Sequence, residues 1–128
     1  MCWQLIVSTL CRERCPDYAA PERFGADEPY DLRVGKYAID TKYRIGSGDS
    51  GTLKKFKQYG PLLKRKGYIP VLLIVRSDNL QAAITACIRG GWTVHQARTA
   101  FTFIENMTKY DLYSALDSMR GQFVIERK

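Results

Sequence analysis

Apolar positions Trp3, Ile6, Val7, Leu10 and Cys11 fall three to four residues apart, which predicts a helix over residues 3–15. The pattern then breaks: residues 16–30 hold Pro16, Pro21 and Pro29 and read as a loop. A hairpin follows over residues 31–34 and 37–45, joined by Gly35-Lys36; glycine first in a two-residue connection is the signature of a type II′ turn. Residues 46–51 (GSGDSG) read as a loop. Residues 52–66 read as a helix, with Leu53, Phe56 and Leu63 on its apolar side and Gly60-Pro61 as a point of kinking or division.

The unbroken apolar run of residues 68–76 (YIPVLLIVR) predicts a strand covered on both faces, with a parallel neighbour. A helix over 78–89 with Asp78 as its N-cap, a strand over 92–96, and short helices over 97–106 and 109–119 complete the pattern. Thr108 is the expected cap of the last helix, with Asp111 in its first turn. The tail QFVIERK reads as an edge strand or a loose end. The order α-β-β-α-β-α-β-α predicts an α/β fold, a mixed central sheet flanked by helices. At 128 residues the chain fits one domain, 1–128.

Composition sharpens this picture in three ways. Hydrophobic residues make up 45 % of the chain, enough for a packed core. No apolar run approaches the roughly 18–20 residues that span a bilayer, and the N-terminus lacks the layout of a signal peptide, so no membrane association and a cytoplasmic location are expected. Of the four cysteines, Cys11 and Cys15 share a helix face, but the single histidine, His95, is distant, so buried free thiols are expected rather than a metal site.

Charge changes the picture more. The net charge is +7, and residues 42–66 hold eight cations against Asp49 alone. A concentrated positive field suits a polyanion such as nucleic acid.

Candidate chemistry lies on the hairpin. With Val34 paired to Tyr37, Asp31 falls opposite Asp40, where Cβ atoms of partners are about 4.5–5.5 Å apart. Two like charges there destabilise a hairpin unless a cation lies between them, and Mg²⁺ is often held by one or two carboxylates with phosphate and water. Lys42 shares the face of Asp40. A metal, two acids and an ammonium on one patch point to phosphodiester hydrolysis. The competing reading is a surface hairpin with Asp40, Lys42 and Arg44 in solvent. GSGDSG also resembles a phosphate-binding loop, but no lysine precedes Thr52 as that motif requires. As a connector it offers Ser47, Ser50 and Thr52 as backbone-phosphate donors near a helix N-terminus. Lys54, Lys55 and Lys57 begin the next helix against its dipole, a modest cost that a docked polyanion offsets. Arg44 is a further candidate phosphate ligand.

Asp31, eight residues, then Asp40-Thr41-Lys42 resembles the signature of the PD-(D/E)xK nuclease superfamily, the restriction endonuclease-like group, with Pro29-Tyr30-Asp31 in place of a strict Pro-Asp pair. Its helix–hairpin–helix–strand order is similar to the pattern over residues 3–75. The stretches GYIPVLLIVRSDNL, GGWTV and AFTFIENMTKYDL resemble the second half of small restriction enzymes. The resemblance implies Mg²⁺ (Mn²⁺ as substitute) on Asp31 and Asp40, with Lys42 assisting the attacking water. It implies a DNA endonuclease, a type II restriction enzyme ahead of a Holliday-junction resolvase or repair nuclease, acting on double-stranded DNA as a homodimer. Gln4 stands where many members carry a metal-linked glutamate on the first helix. That substitution motivates the alternative of a nucleic-acid-binding module that does not cut.

Overall fold

In a computed structural model of the chain, residues 3–23, 28–46 and 50–118 are described. Helix α1 (Trp3–Arg14) leads to strand β1 (Tyr18–Ala19) and the hairpin of β2 (Leu32–Val34) and β3 (Tyr37–Lys42). Helix α2 (Ser50–Arg65), strand β4 (Ile69–Ile74), helix α3 (Gln81–Arg89), strand β5 (Thr93–Gln96) and helices α4 (Arg98–Thr108) and α5 (Leu112–Asp117) follow. The strands form one mixed sheet in the order β1-β2-β3-β4-β5, antiparallel from β1 to β3 and parallel from β3 to β5. The α/β class and the mixed sheet expected from the hydrophobic pattern are present.

Each face of the sheet has its own core. On one, Leu32, Ile39, Val71 and Leu73 pack against Trp3 and Val7 of α1 and Phe101 and Ile104 of α4. On the other, Ala38, Leu72 and Ile74 lie under Phe56 and Leu63 of α2 and Ile84 and Cys87 of α3. Strand β4 is apolar throughout because its alternate residues feed two different cores, and parallel neighbours take both its edges. Trp3 anchors α1 to this strand by donating its indole N–H to the Leu73 carbonyl at 3.2 Å.

The hairpin turn matches the sequence expectation. Gly35 has φ +58°, and Lys36 is not among the residues with positive φ, as a type II′ turn requires. Cys11, Cys15 and Cys87 are buried free thiols. Burial, reinforced by Cys15, pushes the Cys11 thiol up to about 12. No helix among the described residues is long and apolar enough to cross a membrane.

Other boundaries differ from expectation, each for a local reason. Strand β1 lies inside the expected loop; it forms because the free edge of β2 supplies its partners, Tyr18 to Val34 and Ala19 to Arg33. Helix α2 starts at Ser50, inside the expected loop, and runs unbroken through Pro61. The Trp92 indole donates to the Phe56 carbonyl at 2.9 Å, binding α2 to the neighbouring layer one turn before the proline. Helix α3 starts at Gln81 after Leu80, and Asp78 is no N-cap because two arginines hold its carboxylate. Asp111, not Thr108, caps α5, accepting from the Ser114 N–H at 3.1 Å; Thr108 ends α4, its hydroxyl donating to the Ile104 carbonyl. His95 stacks on Phe103, ring centroids 5.1 Å apart. The tail over 122–128 lies outside the described residues.

Helices α2 and α3 meet where Gly60 faces Gly90, and a Cβ on Gly60 would overlap the Gly90 carbonyl. Gly60→Ala therefore forces the helices apart despite its better helix propensity. We expect a loss of about 1–3 kcal/mol, measured by urea denaturation; equal or greater stability would contradict the close approach.

Candidate active site

The site begins where the hairpin ladder stops. Regular pairing of β2 with β3 ends at Leu32–Ile39. Just before it the chain bends at Pro29-Tyr30-Asp31, held by two buried anchors. Pro29 is buried, and Tyr30 is fully buried with its hydroxyl donating to the Glu22 carboxylate at 3.0 Å. At this bend the Asp31 N–H donates to the Ile39 carbonyl at 2.9 Å. The Asp31 carboxylate turns toward β3, where its Oδ2 accepts from the Thr41 N–H at 2.8 Å and the Thr41 hydroxyl at 2.6 Å. The side chain thus takes over a backbone partner's place on β3. The simple cross-strand pair of Asp31 with Asp40 is corrected to this arrangement. The two acids are still neighbours: Asp31 is bound to Thr41, the residue next to Asp40, and its charge acts on the Asp40 carboxyl.

Asp40 is the buried member of the pair, 9 % exposed. It follows Ala38 on the face covered by α2, and Leu72 of β4 is its partner in register. The alternative of a solvent-facing hairpin is thereby overturned: a helix 10 residues downstream in sequence covers the face that alternation alone leaves open. Burial holds the Asp40 carboxyl well above its usual range, and the neighbouring Asp31 adds to this; Lys42 and Lys55 pull the other way. Lys42 ends β3 on the same face, half-buried, and acts on Asp40 through its charge without closing an ion pair. Lys55 of α2 acts on Asp40 through its charge, so lysines from two different elements lower the cost of that carboxylate.

The remaining candidates divide. Lys54 and Lys57 are exposed on α2, and Thr52 is half-buried in its first turn. Ser50 opens the helix, and Ser47 lies outside the described residues. Arg44 is engaged: its Nε donates to the Asp78 carbonyl at 2.9 Å and to the Asp78 carboxylate at 3.2 Å. Arg76 shares that carboxylate, so Arg44 is a tethered cation, not a free phosphate ligand. Gln4 is exposed in the first turn of α1, in the layer across the sheet from Asp40, and hydrogen-bonds to neither carboxylate.

Two residues that the sequence reading passed over shape the same end of the sheet. Asn79 accepts from the Ile45 N–H at 2.8 Å and donates to the Arg76 carbonyl at 2.8 Å and to Gln96 Oε1 at 2.9 Å. It thereby ties the segments after β3 and β4 to the end of β5. Gln96 stands in register with Ile74 and, through it, with Lys42. Only the polar run after the apolar strand hints at this role in the sequence.

The donor set suits a hard divalent cation. Two adjacent carboxylates, one desolvated and resisting ionisation, gain most from a cation that neutralises both. Among the described residues no group of three or more His, Cys, Asp and Glu side chains could hold a metal ion. A cation here would take two protein carboxylates, leaving positions for water and phosphate, as Mg²⁺ commonly does. Comparisons with protein-family models, curated proteins and solved structures found no match, so the site is read from its own geometry.

The raised Asp40 pKa sets a stability signature. Between the unfolded value, about 3.9, and the higher folded value, the folded state binds more protons than the unfolded one. Stability therefore falls as pH rises through that window. Asp40→Asn keeps the shape and a donor toward Asp31 but carries no charge. It should be more stable than the parent at pH 8 by about 1 kcal/mol or more, with the difference shrinking toward pH 4. Thermal melts across this range check it; a variant less stable at pH 8 would show that the Asp40 charge is not a burden.

Proposed function

We propose that the chain is a Mg²⁺-dependent DNA endonuclease of the PD-(D/E)xK type, with a restriction endonuclease-like topology. The observation that carries this reading is the Asp31 carboxylate fixed on Thr41, beside the buried Asp40, with Lys42 in no ion pair on the strand face of Asp40. Ordinary surface acids and lysines neutralise one another. Here a buried Asp40, a half-buried Asp31 and a neighbouring ammonium are held without an ion pair, as a site needs when its partners are a cation and a phosphate.

Asp31 and Asp40 would hold the divalent cation, which when bound supplies a Lewis acid that polarises the phosphate and acidifies a coordinated water. The Thr41 N–H and hydroxyl hold Asp31 Oδ2, which leaves Oδ1 as the oxygen that would bind the cation. Lys42 orients the attacking water and opposes the negative charge that grows on the phosphoryl oxygens. Lys55 adds positive charge from the α2 side. Water adds to phosphorus and releases a proton to solvent, one ester P–O bond breaks, and the departing oxygen takes up a proton from solvent.

Within this class a type II restriction enzyme is favoured over a Holliday-junction resolvase or a repair nuclease. Cutting both strands then calls for a homodimer that brings two sites to one duplex. The test is plasmid DNA with Mg²⁺, against EDTA and Lys42→Ala. Discrete fragments are expected from the parent protein, and at least a hundredfold less cleavage from the variant, about the worth of one charge-stabilising group. Nicking or junction-selective cleavage that disappears in both controls would keep the site and move the protein among these nucleases. Salt-sensitive DNA binding with no cleavage of duplexes or four-way junctions would leave a binding module instead. An independent check is calorimetric: Mg²⁺ should raise the Tm of the parent and not that of Asp40→Asn, through binding to the folded state alone.

A further inference from the structure

The layer of α2 and α3 carries the entire charge imbalance of the chain. Residues 50–66 and 81–89 contain Lys54, Lys55, Lys57, Lys64, Arg65, Lys66 and Arg89 and no acid. The opposite layer is balanced: Arg12, Arg14, Arg98 and Lys109 stand against Glu13, Glu105, Asp111 and Asp117. A run of lysines on one helix can be no more than a solvated face. An acid-free pair of packed helices, on the side of the sheet that holds Asp40, is a directional field.

Between these helices runs an open groove of about 560 Å³. Lys57 and Arg89 flank it, both exposed and neither in an ion pair; Pro61, Ala82 and Ala86 form a small apolar floor, with Thr85 beside them. The contact of Gly60 with Gly90 lets the helices approach closely at its end. The groove belongs to the helix layer that covers Asp40: α2 carries Lys55, whose charge acts on that carboxyl, and α3 carries Cys87, on whose thiol Asp40 acts in turn.

We propose that this groove seats one phosphodiester strand of duplex DNA leading away from the cleavage site, with Lys57 and Arg89 as phosphate ligands. The inference rests on the reading of the acid pair as a DNA nuclease site and adds the path of the substrate. The apolar floor matches the sugar faces between phosphates, and its short side chains admit the backbone closely. Contacts of this kind set register and orientation and read no sequence. Arg89 carries the new content, because it belongs to a helix that no lysine run marks.

The test is binding of a fluorescent duplex by anisotropy in EDTA, where no cleavage competes, over a series of salt concentrations. Lys57→Ala and Arg89→Ala should each weaken binding several-fold and lower the slope of log K against log salt by about 1. Arg12→Ala, the same charge change on the opposite layer, should leave affinity and slope as they are. Circular dichroism melts confirm that the variants are folded, and Arg89→Lys should retain binding as a check on charge rather than packing. Unchanged binding by Arg89→Ala would overturn the proposal, as would an equal loss in Arg12→Ala, which would reduce the effect to net charge. Displacement of the duplex from the parent but not from Arg89→Ala by a lower concentration of acidic polypeptide would assign the groove to a protein and overturn it too. Failure of cleavage with Lys42→Ala as the variable bears on the acid pair alone, so the two readings stand or fall separately.

Discussion

The capture of the Thr41 amide by the Asp31 carboxylate is the interaction on which the site depends. A β-strand needs a partner for each backbone N–H, and a buried amide without one costs about as much as a lost hydrogen bond. Strand β2 runs out at Leu32, opposite Ile39, and leaves Asp40, Thr41 and Lys42 of β3 without a strand partner on that side. The Asp31 side chain supplies the missing acceptor. That requirement draws a carboxylate against the middle of β3, next to Asp40, at the point where α2 excludes water. The repulsion between the acids therefore follows from backbone satisfaction on one side and helix packing on the other. Neither element can relax to relieve it without exposing polar backbone or apolar core. A strained acid pair of this kind is a form of preorganisation: the sheet bears the cost of assembling the charges before any ligand arrives.

How much of this was legible in the sequence differs element by element. The turn at Gly35, the register from Val34 and Tyr37, and the buried character of β4 were legible because each rests on local chemistry: positive φ, a two-residue connection, an apolar run. The shared face of Asp40 and Lys42 followed from strand alternation, whereas Asp31 leaves the ladder and turns its carboxylate to Thr41. The burial of Asp40 was not legible, because strand alternation specifies which residues share a face and not which face is covered. That decision belongs to α2, through Phe56 and Leu63, and to its packing against Trp92. Strand β1 left no pattern, since two residues are too few to show periodicity. Asp78 was read as a cap from its residue type alone; the arginines that claim it, Arg44 and Arg76, are distant or oriented only in the fold. Asn79 and Gln96 escaped notice for the same reason.

The distribution of charge adds a second constraint. Exposed like charges on α2 repel one another, and Lys54 and Lys55 also oppose the dipole at the start of their helix. The cost to folding is small, because counterions screen exposed charges beyond about 8–10 Å at physiological salt. The gain toward a polyanion is not limited in that way. Each phosphate contact releases condensed counterions, so contributions accumulate along the contacted strand. A layer with seven cations and no acid thus loses little as a folded surface and gains much as a nucleic-acid surface. The balanced layer across the sheet shows that the chain's composition does not enforce this arrangement. The same layer partly offsets the burial of Asp40, since the charge of Lys55 opposes the desolvation that raises this carboxyl. On the proposed reading, a phosphate drawn onto α2 would arrive on the side of the sheet that holds Asp40. The cation that would let acids and phosphate coexist is then the one component that neither layer supplies.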